Sequence, residues 1–215
     1  MNQNIKYGYH EPTGKVVHIF AARNGLSCQC RCFECNEKLE AVQGTKKEWH
    51  FRHNSTSSCK GGPETALHQL AKQIIVENAE IKLPQTILTY TNAFMEQRLG
   101  QFTPDVTVSS RQGKVYFEIC VTHTIDNPKE QFYRNSEMKS IEIDLRQTAR
   151  DITPEKLKRQ LLDSAQYKRY IYWYPEDEQN AVSHKLESDN NLLRWICLIA
   201  AAAGFRYYFL RRRNW

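Results

Sequence analysis

The chain has 215 residues, 40% of them hydrophobic and 25% charged, a balance that excludes wholesale disorder and a many-span membrane protein. Thirty Lys and Arg against 24 Asp and Glu leave a net charge of +6, which permits a nucleic-acid partner without demanding one. The first residues hold no apolar run of signal-peptide type, so a reducing cytoplasm is expected. Seven cysteines gathered mostly between Cys28 and Cys59 then point to metal rather than disulfides.

Residues 1–27 read as one or two short strands, KVVHIF (Lys15–Phe20) being the clearest. Residues 28–62 are polar, rich in Cys and His, and too poor in apolar side chains to be expected to hold a core of their own. Gly61 and Gly62 close this region, which defines an N-terminal module over 1–62. Pro63 suits a first helical position, and Leu67, Leu70, Ala71 and Ile74 form an apolar stripe, predicting a helix to about Asn78. Strand-like segments follow at Thr86–Thr91, Phe94–Leu99, Thr103–Ser109 and Lys114–Thr122, the last two joined by a turn at Ser110–Gly113. A helix is expected over Pro128–Met138, a strand over SIEIDL (Ser140–Leu145), a helix from Thr153 and Pro154 to Ala165, and a last strand over Arg169–Pro175. The pattern describes an α/β domain over 63–178 behind a small metal-stapled module. Residues 179–215 form a linker and an apolar, basic tail. Within Leu192–Leu210 the uninterrupted apolar run, Trp195–Phe205, is bracketed by Arg194 and Arg206 and falls short of the about 20 residues a span needs. A core or interface helix is the expectation there, not a membrane anchor.

Cys32 and Cys35 form a two-thiolate knuckle. His53 and Cys59, after an intervening hairpin over Lys38–Lys47, offer a second ligand pair. Four N/S ligands are what a structural zinc ion takes. His50 is the alternative to His53, because residues three apart on a strand face opposite sides and only one can point at the ion. Cys28 and Cys30 are less suitably spaced substitutes.

Along Lys114–Thr122, Val115, Phe117, Ile119 and Val121 share one face, while Tyr116, Glu118, Cys120 and Thr122 share the other. If Thr103–Ser109 pairs with this strand, Asp105 approaches Glu118, and two close carboxylates call for a cation such as magnesium. On the preceding helix Glu64, His68 and Lys72 recur every fourth residue and so share one side. On a surface helix such a stripe is by default solvated.

Taken in order, the Cys-x-x-Cys and HFRH ribbon, the Glu-x-x-x-His-x-x-x-Lys helix, Pro104-Asp105 and the Glu118 strand resemble the competence protein CoiA-like family. That family places a zinc-ribbon-like segment before a PD-(D/E)xK nuclease domain. FEICVTHTID (Phe117–Asp126), followed by SIEIDL, is similar to a signature of its bacterial and phage relatives, and the likeness covers about residues 14–175. The resemblance implies a restriction-endonuclease-like core, a mixed sheet between helices with a metal site on two adjacent strands. It implies that Asp105 and Glu118 hold catalytic magnesium or manganese and that Glu64 is an additional helix carboxylate.

At the position of the family's lysine this chain has Cys120, a poor substitute at neutral pH. Lys72 could supply the missing cation, as could His123 or Lys129 beyond the strand; a straight strand would put His123 on the wrong face. The expectation is a metal-dependent DNA endonuclease acting in DNA uptake, recombination or phage-related processing, with recombination or phage proteins as partners. Arg31, Lys38, Lys46, Lys47, Arg52 and Lys60 of the ribbon would help grip phosphates. The alternative is a catalytically inactive, zinc-containing nucleic-acid-binding or protein adaptor.

Overall fold

Alternating burial along short strands builds two sheets in the computed structural model, which describes residues 5–53, 59 and 61–173. The first sheet contains β1 (Tyr7–His10), β2 (Lys15–His18), β3 (Gly25–Arg31), β4 (Lys38–Val42) and β5 (His50–His53). All its pairings are antiparallel, in the order β2-β1-β3-β4-β5. The strand expected over Lys15–Phe20 stops at His18, whose ring accepts from the Phe20 amide and turns the chain into a 3-10 helix at Ile19–Ala21.

Contrary to the expectation from composition, this region has its own small core. Ile19, Cys28, Cys30, Cys32, Leu39, Ala41 and Phe51 are buried together. Three of them are cysteines, and a protonated thiol packs as a small apolar group. Counting Cys as a ligand alone therefore undervalued the core.

The second part runs α1 (Pro63–Val76), β6 (Glu80–Lys82), β7 (Ile87–Met95), β8 (Val106–Ser110), β9 (Gly113–Cys120), α2 (Asn127–Asn135), β10 (Ser140–Asp144), α3 (Pro154–Leu162) and β11 (Lys168–Tyr172). Its six strands lie in the order β11-β10-β9-β8-β7-β6. Only β9 and β10, joined through α2, are parallel, so the sheet is mixed. The strand expected over Thr86–Thr91 continues through Asn92 and Ala93 into the start of the one expected over Phe94–Leu99 as a single strand, β7, which ends at Met95. A register shift between Tyr90 and Asn92 absorbs the irregularity, and β8 pairs with Ala93, Phe94 and Met95. Pairing has overridden the weak strand preference of Asn and Ala.

Parity along β9 decides the layers. Val115, Phe117, Ile119 and Val121 enter the main core with Leu67, Leu70, Ile74 and Ile75 of α1 and with Leu157 and Leu161 of α3. Tyr116 faces the other way, against Tyr133 of α2 and Ile171 of β11. The sheet is thus flanked by α1 and α3 on one face and α2 on the other. Tyr7 and Val16 of the first sheet join the α1 core, so the module and the α/β layer share packing across α1. The expected tail helix in residues 179–215 lies outside the described residues, as do Asn54–Ser58 and Lys60. Among the described residues, no helix is long and apolar enough to cross a membrane.

Candidate metal centre and acidic site

The turn after β3 brings up Cys32 and Cys35, β5 ends in His53, and Cys59 precedes α1. One donor atom from each of the four lies within 4.8 Å of the others. Cys32 Sγ is 3.6 Å from Cys59 Sγ, and Cys35 Sγ is 3.2 Å from His53 Nε2. A tetrahedral ion with zinc–sulfur bonds near 2.3 Å separates two sulfurs by about 3.8 Å, so the set could hold a metal ion and is compatible with zinc. Backbone amides of Glu34 and Gly61 point at Cys32 Sγ and Cys59 Sγ, each at 3.3 Å, an arrangement that favours thiolate. Against this, burial and hydrogen bonding to Glu34, Cys32 and Cys35 push the Cys59 thiol up to about 12. Metal binding must therefore displace protons here.

His53, not His50, belongs to the set that could hold the ion. The His50 ring bonds the Glu48 carbonyl at 2.8 Å, as strand parity requires. Cys28 and Cys30 are also excluded, since their thiols point to the Leu39 and Cys28 carbonyls inside the module core.

The metal set is tied to α1. Glu34 Oε2 accepts from the Gly62 amide at 3.0 Å and from Cys59 Sγ at 3.2 Å. Gly62, the α1 cap, has φ 56°, and a Cβ there would lie 3.2 Å from the Glu34 backbone. Only glycine fits both demands.

The acidic site lies on β8 and β9, which form the expected hairpin. Val106 pairs with Phe117, so the next step of the ladder sets Asp105 opposite Glu118. Asp105 Oδ2 accepts from the Ile119 amide at 2.8 Å and meets His68 Nε2 at 3.0 Å, while its Oδ1 is 3.8 Å from Lys72 Nζ. Glu118 accepts from Lys129 Nζ at 2.7 Å and from the Tyr133 hydroxyl at 2.6 Å.

The two acids are pushed apart in acidity. Burial opposes ionisation of Asp105, but the His68 bond and charge, the Ile119 amide and Lys72 outweigh it and hold the carboxyl below its usual range. At Glu118 burial prevails, with Asp105's charge adding to it. Lys129 and Tyr133 pull the other way, and the carboxyl still rises to about 7. Carboxylates separated in this way occur both at functional sites and in structural ion-pair networks.

The α1 stripe is not a solvated face. Lys72 is 1% exposed and also bonds Glu96 at 2.6 Å, and His68 is turned onto Asp105. Glu64, one turn earlier, diverges: its nearest charge is Arg150 at 3.8 Å, and it lines a cavity of about 380 Å³ beside Lys6, Glu48 and Asp151. Arg150 in turn donates to the Val121 carbonyl at 2.9 Å, which places Glu64 near the end of β9, facing Arg150 rather than either acid. His123 is exposed in the bend after β9.

Cys120 shares Glu118's face and donates to Glu142 Oε1 at 2.8 Å. Glu142, the β10 partner of Glu118, also accepts from the Ile125 amide at 2.8 Å and from Arg169. Burial and Glu142 together push the Cys120 thiol far up, so it is neither a cation nor a nucleophile.

Tyr133 and Glu142 join the network although neither belongs to the expected site. Parity within SIEIDL places Glu142 on the polar face of β10, a signal that was there to be used. No protein-family model matches this chain, and no curated protein or solved structure does either.

Proposed function

We propose that this protein is a metal-dependent nuclease of the PD-(D/E)xK type acting on DNA, with zinc in the Cys32, Cys35, His53 and Cys59 set. The resemblance to the CoiA-like family supports this reading. So does a mixed sheet between helices that carries its acids on adjacent strands, as a restriction-endonuclease-like core would.

The observation that carries it is the attachment of Asp105 to the amide next to Glu118, which sets the two acids at adjacent positions at one end of a hairpin, Asp105 held from α1 and Glu118 from α2. Their oxygens are the donors magnesium or manganese takes, and the bound ion would supply charge stabilisation at a scissile phosphate. This chain's own residues do the rest. His68 and the Ile119 amide orient Asp105. Tyr133 orients Glu118. Lys129, anchored to the Thr103 carbonyl at 2.8 Å, offers the cation that Cys120 does not, and Lys72 offers a second one beside Asp105.

A second reading has an observation of its own. Lys129, Tyr133 and His68 already satisfy both acids, as they would in a non-catalytic adaptor that kept the network for packing.

Incubation of the protein with single- and double-stranded DNA, with magnesium, manganese or chelator, decides between them. Metal-dependent cleavage abolished in Asp105→Ala and in Glu118→Ala supports the nuclease. Binding without cleavage, unchanged in both variants, supports the adaptor.

A further inference from the structure

We propose that the exposed rings of Phe20 and Trp49 form a stacking platform for the unpaired bases of a single strand of nucleic acid. The proposal rests on nucleic acid being the partner, as in the function proposed above, and adds a strand type and a site away from the acids.

Phe20 is 62% exposed and Trp49 37%, although both belong to a segment with a core of its own. Their ring centroids are 5.8 Å apart at 63°. Both rings are held rigidly without being buried. Phe20 packs edge-on against His18 at 4.7 Å, and His18 against the buried Tyr7 at 5.0 Å, a chain of rings from core to surface. Gln43 Nε2 bonds the Ile19 and Ala22 carbonyls on either side of Phe20, at 2.8 and 3.0 Å. Trp49 is fixed at its edge by Nε1 donating to the Gly44 carbonyl at 3.1 Å, and Lys6 Nζ binds its own carbonyl at 2.8 Å. Rigid aromatic faces lose little entropy on contact with a ligand.

The surrounding charge selects the ligand. Lys46 and Lys47 are exposed in the turn that the Trp49–Gly44 bond closes, and Arg23 is exposed just after Phe20. Three cations of the module are paired within it, Arg31 with Glu11, Arg52 with Glu40 and Lys6 with Glu48, and Lys15 pairs with Glu77 beyond it. Arg23, Lys46 and Lys47 have no carboxylate partner among the described residues. Two open π-faces beside three such cations suit a polyanion that also offers flat apolar surfaces. Unpaired bases on a phosphate backbone are that combination, whereas a duplex hides its base faces.

The test uses the full chain in chelator, so that no cleavage is required. It compares a fluorescent oligothymidine of about 16 nucleotides, the upper site size of a single-strand-binding fold, with an abasic strand of equal length, a blunt duplex and polyglutamate of matched charge. Phe20→Leu and Trp49→Leu should each weaken oligothymidine binding about 5- to 150-fold, the range for loss of one stacked base. They should leave the abasic strand unaffected, and Trp49→Phe should restore binding. Lys46→Gln and Lys47→Gln should weaken both strands and lower the salt slope by roughly 0.7 each.

Oligothymidine binding unchanged by the leucine variants, or an abasic strand bound as tightly as oligothymidine, overturns the platform. Loss of polyglutamate binding alone assigns the patch to an acidic protein and overturns it too. If Asp105→Ala and Glu118→Ala show no lost cleavage while the stacking result holds, the nuclease reading fails and the platform stands.

Discussion

Lys129 Nζ stands 2.7 Å from Glu118 Oε2, although the two residues come from different elements, the first turn of α2 and the strand β9. The cation absent from position 120 is thus brought to the carboxylate by a helix whose start is fixed by Asp126, whose side chain accepts from the Lys129 amide at 3.0 Å. Cys120 points instead to Glu142. A lysine at 120 would add a charge to a position where the thiol already fills a buried hydrogen-bonding slot.

Cleavage should therefore fall by about 10²–10³-fold in Lys129→Met, in the range lost with a proton-handling group, and by far less in Cys120→Ala. Asp126→Ala should cost about 1 kcal/mol of stability through the lost cap and lower the rate without altering metal binding. Equal rates in Lys129→Met and wild type would return the role to Lys72.

Metal content tests the four-residue set. The protein should carry one zinc per chain, and Cys59→Ser or Cys32→Ser should carry none. Because Glu34 joins Cys59 to the Gly62 amide at the start of α1, hydrogen exchange after chelation should speed up in β4, β5 and the first turn of α1. The strands β8 to β10 should stay protected. Zinc retained in both serine variants would refute the assignment.

Lys168 gives a pH prediction independent of any metal. Burial lowers its pKa from the ordinary 10.5 to about 8, Asp163 opposing and Lys82 assisting. Below about 8 both folded and unfolded chains hold the proton, and the folded state bears the full cost of a buried charge. Between there and 10.5 the folded chain releases the proton while the unfolded chain keeps it. Stability attributable to Lys168 therefore rises with pH across that window. Lys168→Met should be more stable than wild type by about 3 kcal/mol at pH 7, the difference shrinking to near zero by pH 10.5. Denaturant melts at several pH values would show it, and a difference that does not vary with pH would contradict it.

Legibility in the sequence followed how local each determinant is. Cys32 and Cys35 lie three residues apart, and strand parity lets only one of His50 and His53 face them, so the set that could hold a metal was readable down to that choice. The pairing that sets Asp105 opposite Glu118 needed only a hairpin, and a turn at Ser110–Gly113 announced one. What could not be read was set by distant packing. The burial of Lys72 depends on Asp105 and Glu96 arriving over α1. Lys129 reaches Glu118 only because α2 folds back across the sheet. β7 continues through Asn92 and Ala93 because β8 pairs with it, and Cys28 and Cys30 became core because β4 and β5 close over them.

Manganese binding to the zinc-loaded protein, followed by the electron paramagnetic resonance of the free ion, tests the two-acid centre most directly. One equivalent should bind. Loss of an outer partner typically costs about 10–100-fold in metal affinity, so Asp105→Asn and Glu118→Gln should each weaken binding by more than about 100-fold while the zinc content stays at one. Manganese binding that is absent in wild type, or unchanged in both variants, would contradict the account.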